Sequence, residues 1–112
     1  MIDQIRPSQL PDWVRQHADR KPVVLDVREP LEVALASVKP EGFDLVVIPM
    51  NQIPARIGEL DPQRPLACLC HHGVRSQRVA MFLVNNGFEQ VVNIAGGIDA
   101  WSVERDPSIP QY

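Results

Sequence analysis

The chain has no segment dense in lysine or arginine. Its 112 residues carry 11 basic and 14 acidic side chains, a net charge of −3. That argues against nucleic acid or an anionic membrane as the main partner, because both call for a concentrated basic patch. Long apolar runs are also missing. Stretches such as Leu45 to Ile48 fall far short of the roughly 20 residues that cross a bilayer. The opening MIDQIRPSQL has neither a basic start nor an apolar core, so it does not read as a signal peptide. Repeats and low-complexity segments are lacking. Cysteine is scarce: Cys68 and Cys70 sit two apart in one strand-like run and do not resemble a disulfide framework. A reducing cytoplasm fits that usage.

What is present suits one globular core. The hydrophobic fraction is 45%, which disfavours disorder. The expectation is one domain over residues 1–105 and an irregular tail over 106–112 with two prolines. Gln4 to Arg6 reads as a short strand, and Ser8 as the N-cap of a helix carrying Leu10, Trp13 and Val14. Val23 to Leu25, ending at Asp26, reads as a buried strand, as do Leu45 to Ile48, Leu66 to Leu69 and Val91 to Ile94. Glu29 to Ser37 reads as a short helix with Pro30 in its first turn. Ile53, Ile57 and Leu60 give one apolar face to another. Ser76 to Asn86 is the strongest helix, with Val79, Ala80, Leu83 and Val84 inward and Gly87 as its stop. Gly96-Gly97 turns into a last helix carrying Trp101, which with Trp13 reads as a packing anchor.

Strands alternating with helices imply an α/β fold, a parallel sheet with helices on both faces. Ligands in such sheets sit outside the carboxyl ends of the strands. Asp26 and Cys70 fall at such ends.

The segment after Cys70 reads His71-His72-Gly73-Val74-Arg75-Ser76. A helix N-terminus carries unpartnered N–H groups and partial positive charge, so it favours a thiolate placed just before it. Gly73 lets a tight loop turn its amides inward. Arg75 adds a permanent cation, and His71 and His72 add charge as pH falls. Arg75 and Arg78 stand at the end of a helix where acidic residues are preferred, which suits a site that holds an anion. Cys70 taken alone reads better as a buried structural thiol. The loop behind it favours a nucleophile. Cys68 reads as core packing. Cys68, Cys70, His71 and His72 are poorly spaced as ligands of one zinc, which calls for a second, distant pair, so no metal is expected. His17 reads as a solvated surface residue.

Four segments resemble the rhodanese-like family. Asp26-Val27-Arg28-Glu29-Pro30, with Glu32, resembles its DVREPxE element; Ile48-Pro49-Met50 with Glu59-Leu60 resembles its IP…EL segment. Cys70 to Ser76 matches its CxxGxRS active loop, and Asn93 to Trp101 its N-x-x-GGI-x-AW element. The resemblance implies a three-layer α/β fold with a five-stranded parallel sheet. It implies a sulfurtransferase in which Cys70 holds a sulfane sulfur as a persulfide. The donor would be thiosulfate, a polysulfide or a persulfide, including a protein persulfide, and the acceptor a thiol or cyanide. The amides and side chains from His71 to Ser76 would bind substrate, with no cofactor. Asp26 and Arg28, at a strand end near the site, read equally as support behind the loop and as a surface ion pair. Related phosphatases place five residues between Cys and Arg; here four intervene, which favours sulfur transfer over a cysteine-based phosphatase or arsenate reductase. A non-enzymatic binding or sensor module is the other alternative. The family's Gly-His-Ile-Pro-Gly-Ala segment is replaced here by Ala36 to Asp44, a change expected at the rim of the site.

Overall fold

A computed structural model describes residues 2–112. Five strands form one sheet: β1 (Asp3–Ile5), β2 (Val23–Asp26), β3 (Asp44–Val47), β4 (Leu66–Leu69) and β5 (Val91–Ile94). Their order is β1-β5-β4-β2-β3, and every neighbouring pair is parallel. Between them run α1 (Leu10–Gln16), α2 (Pro30–Leu35), α3 (Ile53–Arg56) and α4 (Val74–Asn85), and α5 (Gly97–Glu104) follows β5.

Side-chain alternation along the strands builds two apolar layers. Val23, Leu25, Leu66, Cys68 and Cys70 face one layer with Ile53 of α3 and Val79, Ala80 and Leu83 of α4. Val24, Ala67, Leu69 and Ile94 face the other with Leu10 and Trp13 of α1 and Ile98 and Trp101 of α5. Each such Leu or Ile contributes about 1.5–3 kcal/mol through burial. β2 and β4 are neighbours, yet the chain leaves β2 toward β3 and leaves β4 toward β5. That divergence opens a crevice at their carboxyl ends, and both Asp26 and Cys70 stand there.

Some local expectations differ from the fold. Ser8 does not cap α1. It lies in a 3-10 turn, Pro7–Gln9, where the Gln9 side chain accepts the Arg6 N–H at 2.7 Å and Ser8 donates its own N–H to Glu104 at 3.1 Å. Helix α4 starts at Val74, two residues before Ser76, because Gly73 supplies a left-handed turn with φ 103°. Val84 points outward and is 42% exposed. The segment replacing the family's usual sequence is a core element in part: Ala36, Val38 and Phe43 are buried in the α1/α5 layer. The tail lacks regular structure, but Ile109 is buried in that same layer.

Candidate active site

Cys70 follows β4, the central strand of the sheet. Its side chain is 1% exposed. The Gly73 N–H donates to Cys70 Sγ at 3.0 Å, and Ser76 Oγ lies 3.2 Å from the same sulfur. The loop's carbonyls are turned the other way. Cys70 O accepts the Ile98 N–H at 2.9 Å, and His71 O accepts the Asp99 N–H at 3.2 Å. The start of α5 therefore clamps the back of the loop, and the amide side faces the crevice. Gly97 makes this possible. It has φ 60°, and a Cβ there would run into the Cys70 and His71 carbonyls. The Gly96-Gly97 pair thus holds the loop as well as turning the chain. The N–H groups of Val74, Arg75 and Ser76 open α4 with no carbonyl partner.

Arg75 is not a free cation. Its two Nη groups donate to the two carboxylate oxygens of Glu32, each at 2.7 Å. Glu32 lies in α2 and also accepts the Glu29 N–H at 2.9 Å in a capping box. The bond from Arg75 is the main reason that the Glu32 carboxyl titrates low, at about 2. The guanidinium expected to hold a substrate anion is also tied to α2 through Glu32.

Asp26 and Arg28 form a buried ion pair at 2.6 Å, with the Arg28 side chain fully enclosed. Neither is bonded to the Cys70 loop itself. Arg28 reaches toward it in two steps: its Nη1 donates to Glu32 O at 3.2 Å and to the Tyr112 hydroxyl at 3.1 Å. That hydroxyl donates in turn to Glu32 Oε1 at 3.0 Å. Tyr112 also stacks on the His71 imidazole, ring centroids 3.9 Å apart, and His72 stacks on the opposite face at 3.9 Å. Burial, then the neighbouring His72, holds the His71 imidazole below the ordinary histidine range. His71 therefore takes up a proton at lower pH than an ordinary histidine.

Three groups could be asked to hold a metal: the ligand atoms of His71, His72 and Asp99 lie within 4.8 Å of one another. The two imidazoles are stacked 3.9 Å apart with only 22° between their planes, so their lone pairs lie in separate, nearly parallel planes, a poor arrangement for one ion. His17 closes α1 and packs beside Trp13, with ring centroids 5.1 Å apart.

Several residues behind the loop carried no role in the sequence reading. Asn93 lies on β5 and is 3% exposed. It accepts the Ser76 hydroxyl proton at 2.5 Å and donates to Gly73 O at 3.1 Å and Gln4 Oε1 at 2.9 Å. Its signal was available as a polar amide inside an apolar strand. Glu32, a capping-box acid, gave no hint of its distant arginine. Tyr112 had no local signal.

A family model described as the rhodanese-like domain matches residues 10–104. The chain belongs to the rhodanese-like family. Its relatives differ in extent. It is 43% identical over 93 residues to a rhodanese-like/PpiC domain-containing protein of Arabidopsis thaliana, covering 80% of this chain but only 30% of that protein. It is 35% identical over 103 residues to a sulfurtransferase of Allochromatium vinosum, covering 91% of this chain and 90% of the relative. It is 37% identical over 78 residues to the thiosulfate sulfurtransferase GlpE of Vibrio cholerae, covering 70% of each. A rhodanese-like domain protein from Staphylococcus aureus has the same fold, with a TM-score of 0.75, 28% identity and 99% coverage of both chains. The five-stranded parallel sheet of the rhodanese-like domain is as the resemblance implied. No helix among the described residues is long and apolar enough to cross a membrane.

Proposed function

We propose that this rhodanese-like chain transfers a sulfane sulfur through a persulfide on Cys70. The carrying observation is the sulfur at the mouth of α4, receiving the Gly73 N–H at 3.0 Å beside helix-opening amides that have no other partner. Such amides stabilise negative charge on sulfur without a separate cation. The Cys70 thiolate attacks the sulfane sulfur of the donor. With thiosulfate, the S–S bond breaks and sulfite leaves with the electron pair. A thiol or cyanide then attacks the outer sulfur of the persulfide, and the Cys70 thiolate departs. Splitting the transfer in two allows donor and acceptor to visit one site in turn.

Arg75 bears on the alternative enzyme. A phosphatase clamps its phosphoryl group with the loop arginine. Here Glu32 engages one N–H of each Nη group, and only four residues separate Cys70 from Arg75. The short loop, which offers its amides to a single sulfur, supports sulfur transfer over phosphoryl chemistry. Two free thiols suit a cytoplasmic setting. A persulfide-bearing protein is included among the donors; the relatives named sulfurtransferase support sulfur donors in general.

The test is thiocyanate formation from thiosulfate and cyanide by the native chain, Cys70→Ser and Cys68→Ser. Activity lost only in Cys70→Ser is expected. Equal activity in Cys70→Ser overturns the proposal. Inactivity of all three forms, with no binding of sulfur from polysulfide, favours the non-enzymatic reading.

A further inference from the structure

Ser76 has one hydroxyl proton and two neighbours that want it. One is Cys70 Sγ at 3.2 Å; the other is Asn93 Oδ1 at 2.5 Å. An amide oxygen can only accept, so the short contact to Asn93 takes the proton. The Ser76 oxygen then faces the sulfur with lone pairs. A Cys70 thiol completes this arrangement by donating S–H to Ser76. A thiolate does not, because two acceptors would face each other.

The direction of the chain is pinned at both ends. Asn93 Nδ2 gives one hydrogen to the Gly73 carbonyl at 3.1 Å and one to Gln4 Oε1 at 2.9 Å. A flipped Asn93 would set its oxygen against the Gly73 carbonyl. Gln4 is oriented by donating Nε2 to Gln77 Oε1 at 2.5 Å and to the Ile2 carbonyl at 3.4 Å. Backbone carbonyls at Gly73 and Ile2 thus fix the sense of every bond between them. An open cavity of about 320 Å³, lined by Gln4, Gly73, Val74, Gln77, Arg78 and Asn93, gives solvent access to the outer end.

We propose that Asn93 is a positioning residue for Cys70: by holding the Ser76 proton it presents Ser76 to the sulfur as an acceptor and keeps the resting site in its thiol form. Ionisation then requires Ser76 to turn its proton toward sulfur and leave the buried Asn93 oxygen unpaired, or to face the thiolate without a proton. Asn93 opposes the Gly73 N–H and the start of α4, which favour the thiolate. The balance between them decides how readily Cys70 becomes a nucleophile. This gives the proposed sulfur-carrying role of Cys70 a named control.

The other groups around the sulfur are separately accounted for. Cys68 on β4 is buried as a thiol. His71 is stacked between His72 and Tyr112. Arg75 is paired with Glu32 of α2, and Arg28 with Asp26 after β2. Asp99 of α5 meets the loop through its backbone N–H. Cys68 sits opposite Asn93 in the β4–β5 register, but none of these side chains hydrogen-bonds to Asn93.

The experiment follows thiolate absorbance in the ultraviolet against pH, with Cys70→Ser as the blank. Asn93→Ala frees the Ser76 proton for the sulfur, and the midpoint is expected to fall by about one pH unit, a tenfold change in ionisation at fixed pH. Asn93→Asp keeps the acceptor, adds negative charge and moves the midpoint up. General loosening of the strand would move both variants the same way. In a Ser76→Ala background, Asn93→Ala is expected to add no further shift, since its path to sulfur is gone. An unchanged midpoint in Asn93→Ala, shifts of one sign in both variants, or the same Asn93→Ala shift with Ser76 removed overturns the proposal. The titration reads Cys70 directly, so its outcome does not depend on whether Cys70 carries sulfur.

Discussion

Cys68 and Cys70 lie two residues apart, face the same apolar layer and are 0% and 1% exposed. Burial does not tell them apart. Their neighbours do. Cys68 is inside β4, where strand pairing consumes the backbone donors, and burial, then the nearby Cys70, pushes its thiol well above the ordinary cysteine range. Cys70 lies beyond the strand's last residue, where the chain turns and one amide reaches its sulfur. Two positions of travel along a strand separate a thiol packed as a small hydrophobe from one set at a helix mouth. The end of a strand, more than the residue type, makes the site.

The comparison can be broken most severely at the two sulfurs. Cys70→Ser is expected to reduce thiocyanate formation to background. Cys68→Ser is expected to keep turnover while losing about 1–3 kcal/mol of stability in urea, because the new hydroxyl is buried without a designed partner. A Cys68→Ser variant that is stable but inactive would contradict this division.

A smaller effect is expected from the clamp behind the loop. Gly97→Ala places a methyl group against the Cys70 and His71 carbonyls at a left-handed backbone position. It should cost about 1–3 kcal/mol by denaturant unfolding and lower kcat more than it raises KM, since the amide side of the loop is misaimed. An equivalent substitution at Gly58, which has open space around it, should leave both nearly unchanged.

Glu32 tests whether Arg75 is held in solution as it is in the structure. Its carboxyl titrates at about 2 against an ordinary value of 4.5, chiefly through Arg75. Between those values the unfolded chain binds more protons than the folded one. The stability from this group is fully present above about 4.5 and is lost as pH falls through about 2. Glu32→Gln should therefore flatten the acid limb of a stability-against-pH curve over that window. An unchanged limb would show that the pair does not hold in solution. The smallest expected effect is Tyr112→Phe, which keeps the stack on His71 but removes the hydroxyl between Arg28 and Glu32. It should cost about 0.5–1.5 kcal/mol, measured by the shift in urea midpoint.

Much of this was legible in the residues. Short apolar runs at Val23–Asp26 and Leu66–Leu69, alternating with helical segments, foretold the parallel sheet. The Cys70–Ser76 segment marked the candidate site. What escaped was of one kind. Ser8 has the chemistry of a cap, but Gln9 and Glu104 meet the free N–H groups there instead. Arg75 and Glu32 are 43 residues apart, and Gln4 and Asn93 are 89 apart. Local periodicity holds no trace of which distant side chains the sheet order will bring together. Tyr112 illustrates the point most fully: an aromatic in a proline-broken tail packs on the loop because the tail follows Ile109 into the core.

The central claim is that Cys70, and not Cys68, holds the sulfur in transit. Intact-mass measurement after donor treatment, followed by peptide mapping, tests it directly. The account predicts a gain of one sulfur atom on Cys70 in the native chain and in Cys68→Ser, and none in Cys70→Ser. A gain that maps to Cys68, or that persists in Cys70→Ser, would contradict it.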